Sequence, residues 1–263
     1  MSGAPGPALP GPADQDPRTR ELAAALERVR ARIEAAAARR TTGSGVPRLI
    51  AVTKFFPAAD VVRLHRLGVT DVGENRDQEA AAKAFEVRGL VDGPLDWHFI
   101  GQLQSNKAKS VVRYASWVHS VDRASLVTAL GRAVQRHREA MAAGEAEPGP
   151  CAAADLTCLV QVSLDAEEHR GGALPEDVLR LAEQIAATEG LRAGGVMAVA
   201  PLGAPPGPAF ERLHEISQRL RASLPDATAV SAGMSQDLEE AVDHGATHVR
   251  VGSDVLGPRP PVR

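Results

Sequence analysis

Short apolar runs alternate with amphipathic stretches along most of this chain, and the alternation predicts strands separated by helices. Apolar runs bounded by polar or glycine-rich residues predict strands at 49–53, 70–72, 97–100, 117–120, 157–162, 195–199, 227–230 and 248–251. Apolar residues at helical spacing predict helices at 58–67, 123–138, 175–188, 210–223 and 236–244. A further helix is predicted at 21–40, where Leu22, Leu26, Val29 and Ile33 form one apolar face.

This order of elements indicates the fold class. Eight strands alternating with helices predict an α/β protein, a single (β/α)8 barrel of the TIM type with an extra N-terminal helix. An open doubly wound sheet is the alternative, but such sheets usually have a glycine-rich turn after the first strand, where this chain has Lys54-Phe55-Phe56-Pro57.

The domain organisation predicted from the sequence is simple. Residues 1–17 are rich in proline, glycine and alanine, and we expect them to form a disordered tail. Residues 18–263 are expected to form the barrel. Two stretches, near 139–155 and at 203–208, are expected to be mobile surface insertions within it.

Composition and charge exclude several classes of protein. The chain has 263 residues and 44% hydrophobic content, enough to bury a barrel-sized core. A net charge of -3 and a pI near 6.3 give no basic surface for nucleic acid. No apolar segment has the length of a membrane span or a signal peptide, so we expect a cytoplasmic protein. Cys151 and Cys158 lack the number and spacing of disulfide or zinc sites, and we interpret Cys158 as a core residue and Cys151 as incidental.

Lys54, at the end of the first predicted strand, is the first candidate for chemistry. The run 49–53 is apolar throughout, which is typical of a parallel strand covered on both faces. Barrels place their functional groups at the carboxyl ends of such strands. A partly desolvated lysine favours the neutral amine, which can form an imine with a carbonyl compound. Taken in isolation, a lysine at a strand end is more often simply solvated, and the remaining features of the sequence favour the chemical role.

The loops after the last two predicted strands indicate an anion site. The sequence SAGMS, from Ser231 to Ser235, follows the seventh strand and leads into a helix, and Gly252 and Ser253 follow the eighth. Barrels often bind phosphate between these two loops, where backbone N–H groups are accessible. Two loops of small residues therefore favour a phosphorylated ligand. Ser235 could also be the N-cap of the helix that follows it, and the two roles are compatible.

Six phrases of the sequence, in their order and spacing, resemble one known family. They are AVTK (51–54), GENRDQE (73–79), WHFIGQLQSNK (97–107), GVMAVAP (195–201), SAGMSQD (231–237) and VRVGSDVLGPR (249–259). The chain resembles the pyridoxal phosphate homeostasis proteins, the YggS/PROSC family, whose barrel is similar to the N-terminal domain of alanine racemase (fold type III of the pyridoxal phosphate proteins). The resemblance implies pyridoxal 5'-phosphate (PLP) as cofactor and a role in intracellular PLP homeostasis and cofactor supply.

The resemblance also implies which residues bind the cofactor. Lys54 would hold PLP as an internal aldimine, Ser235, Gly252 and Ser253 would surround the phosphate, and Arg250 would face the pyridine nitrogen. Asn75 would lie near the ring oxygen, although it could instead be a turn residue. The complete set of predicted cofactor-binding residues is Lys54, Asn75, Met197, Ser231, Ser235, Arg250, Gly252 and Ser253; no catalytic or metal-binding residue is predicted.

Arg250 has the strongest chemical consequence. His248, Arg250 and Gly252 share one face of the last strand, and the apolar Val249 and Val251 share the other, so Arg250 is expected to face the barrel lumen. A guanidinium only donates hydrogen bonds, so beside the ring nitrogen it would keep that nitrogen unprotonated. The cofactor would then be a weak electron sink, and carbanion chemistry would be penalised.

Efficient racemisation is therefore not expected. By the resemblance, alanine racemase uses a second proton-transfer group, a tyrosine from a C-terminal β-domain of the partner subunit, whereas the one tyrosine here is Tyr114, in an unsuitable position. We predict a monomeric binding protein that holds PLP and supplies apo-enzymes. The alternatives are a slow racemase-type enzyme that uses PLP, and a cofactor-free Schiff-base enzyme for a sugar phosphate, which leaves Arg250 unexplained. A metal-dependent hydrolase is disfavoured because no His-x-His pair ends the first strand.

The sequence departs from the common wording of the family at four positions. Arg76 replaces a frequent aromatic residue, Ala232 replaces a methionine, and Ser253 replaces a threonine while keeping the hydroxyl. Asp254 replaces an alanine and brings a carboxylate near the predicted phosphate loop. It would disfavour phosphate unless its side chain turns outward.

Overall fold

Eight parallel strands form a closed barrel in the order β1 to β8 in the computed structural model, which describes residues 16–43, 45–164 and 171–259. The strands are β1 (Arg48–Val52), β2 (Asp71–Glu74), β3 (Asp96–Phe99), β4 (Trp117–Val121), β5 (Leu156–Gln161), β6 (Leu191–Met197), β7 (Ala229–Ser231) and β8 (His248–Val251). β1 pairs with β8 in parallel, which closes the sheet. The predicted (β/α)8 barrel is confirmed, and the doubly wound alternative is excluded.

Helices follow the strands and cover the outside of the barrel. They are α1 (Pro17–Arg39), α2 (Ala58–Arg66), α3 (Asp77–Val87), α4 (Ala108–Val111), α5 (Ala124–Ala142), α6 (Val178–Ala186), α7 (Gly207–Ser223), α8 (Leu238–Asp243) and α9 (Ser253–Leu256). Three of them, α3, α4 and α9, were absent from the sequence prediction. α4 and α9 are single turns, and the buried face of α3 includes the charged Asp77 and Lys83, so its apolar periodicity is weak.

The N-terminal helix α1 begins earlier than predicted. Asp16 caps it by accepting from the Arg18 amide, and Pro17 occupies the first turn, where a missing N–H costs nothing. Both residues fall within the predicted tail 1–17, whose residues 1–15 lie outside the described part of the chain. The apolar face predicted for α1 is buried against α8 and α9, beside the last two strands.

The barrel has an apolar outer layer and an unusually polar lumen. Strand residues such as Val72, Val118 and Val249 face the helices and belong to the main apolar core. Inside the barrel, a small cluster of Leu159, Met197 and Ala229 packs against Trp117. Buried polar side chains occupy other lumen positions, and they are described with the site and its surroundings below.

Strands β6 and β7 approach too closely for a side chain at Gly195. Its φ is +143°, and an added Cβ would lie 2.0 Å from the carbonyl oxygen of Ala229. Only glycine tolerates both this backbone conformation and this contact. Glycine at position 195 is therefore a requirement of the pairing between β6 and β7.

The predicted insertion at 139–155 contains ordered elements at both ends. α5 extends to Ala142, and a 3₁₀ turn covers Pro150–Ala152. Cys151, interpreted as incidental from the sequence, is buried in the core, and the Arg138 guanidinium donates to its carbonyl oxygen at 2.8 Å. The mobility of the segment stays a prediction. Among the helices of the described residues, none has the length and apolar character needed to cross a membrane.

Candidate functional site

A cavity of about 500 Å³ opens at the carboxyl ends of the barrel strands. Five of the eight residues predicted to bind a cofactor line it: Lys54, Ser235, Arg250, Gly252 and Ser253. A groove of about 640 Å³ beside α1 is larger, but neither Lys54 nor Arg250 lines it. The cavity at the barrel mouth is therefore the candidate site.

Lys54 lies two residues beyond the end of β1, half-buried in the cavity wall. Within the described residues, no hydrogen bond or ion pair engages its amine. Burial lowers the pKa of Lys54, and the positive charge of Arg259 lowers it further. Arg250 and Arg76 act in the same direction, whereas the carboxylate of Glu74 opposes them. The site therefore favours the neutral, nucleophilic form of the amine.

Charged side chains hold the peptide groups on both sides of Lys54. The Lys83 amine donates to the Thr53 carbonyl oxygen at 2.8 Å, and the Phe55 amide donates to a carboxylate oxygen of Glu79. Phe55 has a φ of 73°. Among the non-glycine residues of the described ranges, no other has a positive φ. Such a conformation costs on the order of 1–2 kcal/mol, so the bond to Glu79 stabilises a strained turn. Lys54 thus projects from a backbone that is fixed on both sides.

Glu74 and Lys83 form a buried ion pair behind this turn. The Lys83 Nζ lies 2.6 Å from Glu74 Oε1, and the Thr53 hydroxyl donates to the same oxygen at 2.6 Å. Glu79 adds a second carboxylate, 3.4 Å from the Lys83 amine. Burial raises the pKa of Glu74, although the charge of Lys83 opposes this change. The second oxygen of Glu74 has no hydrogen-bond partner among the described residues.

Sequence reasoning missed this charged group. The available signal was the spacing of Glu79 and Lys83, an acid four residues before a base, which is favourable on a helix surface. That spacing usually marks an exposed pair, however, and α3 itself was not predicted. The burial of Lys83 against Glu74 becomes visible only once β2 and α3 are placed together.

Arg250 is buried in the barrel lumen and lines the cavity. Its Nη1 donates to the Ser231 hydroxyl at 2.6 Å, and its Nη2 donates to the Ala198 carbonyl oxygen at 2.8 Å. Burial lowers the pKa of Arg250 to about 10, and the charge of Asp237 opposes the change. The guanidinium is therefore still protonated at neutral pH and presents its remaining donors to the cavity.

The other three predicted residues do not line the cavity. Ser231 is fully buried and accepts from Arg250. Met197 is buried in the lumen cluster with Leu159. Asn75 follows β2 and packs closely on Gly101. A Cβ added to Gly101 would lie 2.2 Å from the Asn75 carbonyl oxygen.

The loops after β7 and β8 meet at the cavity. The Ser253 hydroxyl lies 3.1 Å from the Ser235 hydroxyl and donates to it. Helix α8 begins only at Leu238, and Asp237 at its cap accepts from the Met234 amide at 2.6 Å. The N-cap of this helix is therefore Asp237, and the alternative role considered for Ser235 is not observed. Its hydroxyl instead faces the loop that follows β8.

Arg32 of helix α1 anchors both loops from outside the cavity. It donates to the Ser235 carbonyl oxygen at 2.9 Å, to Glu239 at 2.6 Å and to Asp254 at 2.5 Å. Asp254 is thereby turned away from the cavity, which it does not line. The carboxylate that departs from the family wording is compatible with an anion at this site.

The cavity wall carries a positive charge. Its ionisable side chains are Lys54, Arg250, Arg259 and Asp237, three bases and one acid. The Arg259 guanidinium lies over the Phe55 ring, 5.0 Å from its centre. Such a wall attracts anions. Neither Arg259 nor the aromatic Phe55 was predicted, although both follow strands that the sequence placed correctly.

The loop after β6 also contributes to the wall, through Ala200, Leu202, Gly203, Ala204 and Pro206. We predicted residues 203–208 only as a surface insertion. Proline and glycine indicate a loop but carry no information on what the loop covers. The position of this segment, after a barrel strand, was the available signal.

Tyr114, the one tyrosine of the sequence, is not part of the cavity wall. Its side chain is buried, with the hydroxyl 3.5 Å from Asp77 Oδ1, and burial raises the pKa of the phenol. Tyr114 does not line the cavity that contains Lys54. No tyrosine therefore supplies a second acid or base at this site.

The closed barrel with a lysine at the end of its first strand defines a class. Its fold is that of the alanine racemase N-terminal domain, and the model of that domain family matches residues 25–260. The pyridoxal phosphate homeostasis protein of Mycobacterium tuberculosis is 44% identical over 252 residues, which cover 92% of this chain and 94% of that protein. The protein of the same name from Corynebacterium glutamicum is 43% identical over 232 residues, 88% of this chain and 99% of that one. This chain belongs to the family of the pyridoxal phosphate homeostasis proteins, as the sequence motifs predicted.

A solved structure agrees with this assignment. PipY of Synechococcus elongatus PCC7942, determined with PLP bound, superposes with a TM-score of 0.73 at 31% identity. The match covers 90% of this chain and 100% of PipY. The likeness therefore extends over most of this chain.

Proposed function

We propose that this protein binds PLP in the cavity at the barrel mouth, holds it covalently on Lys54, and serves PLP homeostasis by storing and supplying the cofactor. The observation that carries the proposal is the position of Lys54: a half-buried amine with a lowered pKa and no partner among the described residues, in a positively charged cavity. Relatives of this chain bear the name of this function, and PipY has been solved with PLP bound.

The residues present fit the cofactor. PLP carries a phosphate, an aldehyde and a ring nitrogen. Gly252, Ser253 and Ser235 form a small-residue wall with two hydroxyls suited to phosphate, and Arg32 keeps the nearby Asp254 carboxylate away from it. The surplus of bases over acids in the wall suits an anionic phosphate.

Each of the main residues has a distinct task. The Lys54 amine would bond to the aldehyde carbon, with loss of water, and its lowered pKa increases the fraction of the unprotonated form that this bond requires. Arg250 donates hydrogen bonds and accepts none, so it favours an unprotonated ring nitrogen. Bound PLP supplies an electron-withdrawing ring to any amine linked to it, and an unprotonated ring withdraws electrons less strongly.

The same geometry favours binding over turnover. A racemase needs proton-transfer groups on two sides of its substrate, and Tyr114 is not at the site. The cavity is also open at the barrel mouth, where the flanking Leu202 is 81% exposed. A site of this kind holds the cofactor where another molecule can reach it.

Absorbance spectra of the purified protein with added PLP test the proposal, with Lys54→Ala beside the wild type. We expect a visible band in the wild type that is absent in the variant. Borohydride reduction followed by intact-mass measurement should add one reduced PLP to the wild type and none to Lys54→Ala. Lys109→Ala, which removes an exposed lysine outside the cavity, is the matched control and should behave as wild type.

Two results would overturn the proposal. If the wild type shows neither the band nor the added mass, the cavity does not hold PLP covalently. If Lys54→Ala retains both, another residue is the anchor. A racemase-type activity in the wild type that disappears in Lys54→Ala would favour the enzyme alternative over simple storage.

Supply of PLP to apo-enzymes, a cytoplasmic location and a monomeric state are parts of the same proposal. The free cysteines Cys151 and Cys158 are both buried, which suits a reducing compartment. Light scattering on the purified protein measures the oligomeric state.

Transfer is tested by mixing the PLP-loaded protein with an apo-enzyme and a trap for free PLP. Activation of the apo-enzyme despite the trap supports direct delivery, and loss of activation contradicts it.

A further inference from the structure

A chain of hydrogen bonds crosses the barrel lumen from Arg250 to Asp71. The Arg250 Nη1 donates to Ser231 Oγ at 2.6 Å, and this hydroxyl lies 3.0 Å from His119 Nδ1. His119 Nε2 lies 2.9 Å from His98 Nδ1, and His98 Nε2 lies 2.9 Å from Asp71 Oδ1. These residues come from β8, β7, β4, β3 and β2, so the chain joins opposite sides of the barrel.

The charged ends set the direction of each hydrogen bond. Arg250 can only donate. Burial opposes ionisation of Asp71, but the bonds from His98 and Thr70 lower the pKa of Asp71 overall, so its carboxylate accepts. With one proton on each ring, His98 donates to Asp71 and His119 donates to His98. The Ser231 hydroxyl then donates to His119 and keeps a lone pair for Arg250, so each of these hydrogens has an acceptor.

Burial makes this arrangement sensitive to the loss of any member. The five side chains belong to residues that are at most 4% exposed. Burial also lowers the pKa of His119 well below its usual value, which keeps the ring neutral and its Nδ1 able to accept from Ser231. Removing one member leaves buried polar groups without partners and without water to replace them.

Stability alone does not explain a polar chain at this place. The lumen of such barrels is usually filled by branched apolar side chains, and apolar replacement of buried charges is often neutral or stabilising. Of the five residues, Arg250 is the one that lines the cavity. The chain therefore connects the candidate site with a buried carboxylate at the amino end of β2.

We propose that Ser231, His119, His98 and Asp71 are positioning residues, which hold the Arg250 guanidinium in the orientation that meets PLP. The inference rests on the proposed function and adds to it the residues that set the contact between protein and cofactor ring. Ser231 and the Ala198 carbonyl oxygen occupy two of the five N–H groups of Arg250. Fixing these two determines where the other three point.

The test compares two substitutions of His119 with opposite expected results. His119→Phe removes both hydrogen bonds, whereas His119→Gln can donate to His98 and accept from Ser231. We expect His119→Phe to raise the Kd for PLP about tenfold and to shift the visible absorption maximum, since an unsatisfied buried partner costs that much. We expect His119→Gln to restore the Kd to within about twofold of wild type and to return the absorption maximum.

Leu159→Ala controls for a loss of stability alone. Leu159 is fully buried in the lumen cluster and makes no polar contact with the chain, so this variant should lower the Tm and leave the Kd and the spectrum unchanged. If His119→Phe does not fold, Ser231→Ala and Ser231→Thr replace the pair, and the threonine is expected to rescue the spectrum.

The outcomes separate this inference from the proposed function. A wild type that forms no band with PLP contradicts the proposed function itself. A wild type that forms the band, with the same Kd and absorption maximum in His119→Phe or Ser231→Ala, overturns the positioning role alone. Equal effects of Leu159→Ala and His119→Phe on Kd and spectrum would also overturn it, because the chain would then act only through stability.

Discussion

The two lysines beside β1 and β2 have opposite environments although both are withdrawn from water. Lys83 is buried to 5% exposure, and its amine contacts two carboxylates and a backbone carbonyl oxygen. Lys54 is half-buried in a wall that also contains two arginines, and its amine has no partner among the described residues. Lys83 is a structural cation, and Lys54 is a candidate nucleophile.

The difference shows that burial by itself does not make a lysine reactive. Desolvation favours the neutral amine in either place, but opposite charges reverse that preference and like charges reinforce it. Around Lys54, Arg259, Arg250 and Arg76 reinforce the lowering of its pKa. The protein thus separates two roles of one residue type by the sign of the surrounding charge.

The largest expected effect comes from breaking the paired lysine. Lys83→Met leaves the Glu74 carboxylate buried without its cation, so we expect the free energy of unfolding to fall by about 3–5 kcal/mol. Urea unfolding measures the loss. Lys109→Met, at an exposed lysine, is the control and should stay within about 0.5 kcal/mol of wild type. A loss of less than about 1 kcal/mol in Lys83→Met would contradict this account of the pair.

The double variant Glu74→Gln with Lys83→Met shows whether the loss comes from the uncompensated charge. It removes both charges while keeping an acceptor for the Thr53 hydroxyl. We expect the double variant to lose about 2 kcal/mol less in free energy of unfolding than the summed losses of the two single variants. If the losses of the two single variants simply add up in the double variant, Lys83 acts through packing.

A smaller and pH-dependent effect is expected at the unpaired lysine. The pKa of Lys54 is lower in the native protein than its ordinary value of 10.5, so the protonated amine destabilises the native state. This penalty is complete below the native pKa and disappears as the pH rises from that value to 10.5. In PLP-free protein, Lys54→Met should therefore be more stable than wild type at pH 7. The gain in free energy of unfolding should be under about 1 kcal/mol, because the side chain is partly exposed.

The stability difference between Lys54→Met and wild type should narrow as the pH approaches 10.5. Urea unfolding at a series of pH values measures it, and other titrating groups cancel between the two proteins. A difference that stays constant with pH, or that widens, would show that Lys54 has no lowered pKa.

The smallest expected effect concerns the charges that act on Lys54 from a distance. Removing the positive charge in Arg259→Gln should raise the pKa of Lys54, so the pH midpoint for covalent attachment of PLP should move upward. Stopped-flow absorbance across pH measures this midpoint. The shift should be smaller in 1 M salt, because Arg259 is exposed and its charge is screened.

Arg66→Gln removes an exposed arginine that does not line the cavity, and it should leave the midpoint unchanged. If Arg259→Gln also leaves it unchanged at low salt, Arg259 has no influence on the reactivity of Lys54.

Much of the fold could be predicted because it is encoded in neighbouring residues. The apolar runs of the eight strands and the spacing of Leu22, Leu26 and Val29 on α1 are local patterns with fixed periods. Strand parity likewise predicted the face on which Arg250 lies, since alternation along a strand needs no knowledge of its partners. Positions at predicted strand ends likewise indicated Lys54 and the two loops of the proposed phosphate site, and the family motifs supplied their assignment to PLP.

What the sequence by itself determined, then, is the barrel, its strand ends and the side chains presented there. The tertiary structure alone decided the partners: Lys83 with Glu74, Arg32 with Asp254, and the chain of polar groups behind Arg250. Arg32 and Asp254 are separated by 222 residues, and no local pattern relates them. Periodicity assigns a side chain to a face, but the group it meets depends on which distant segments the closed barrel brings together.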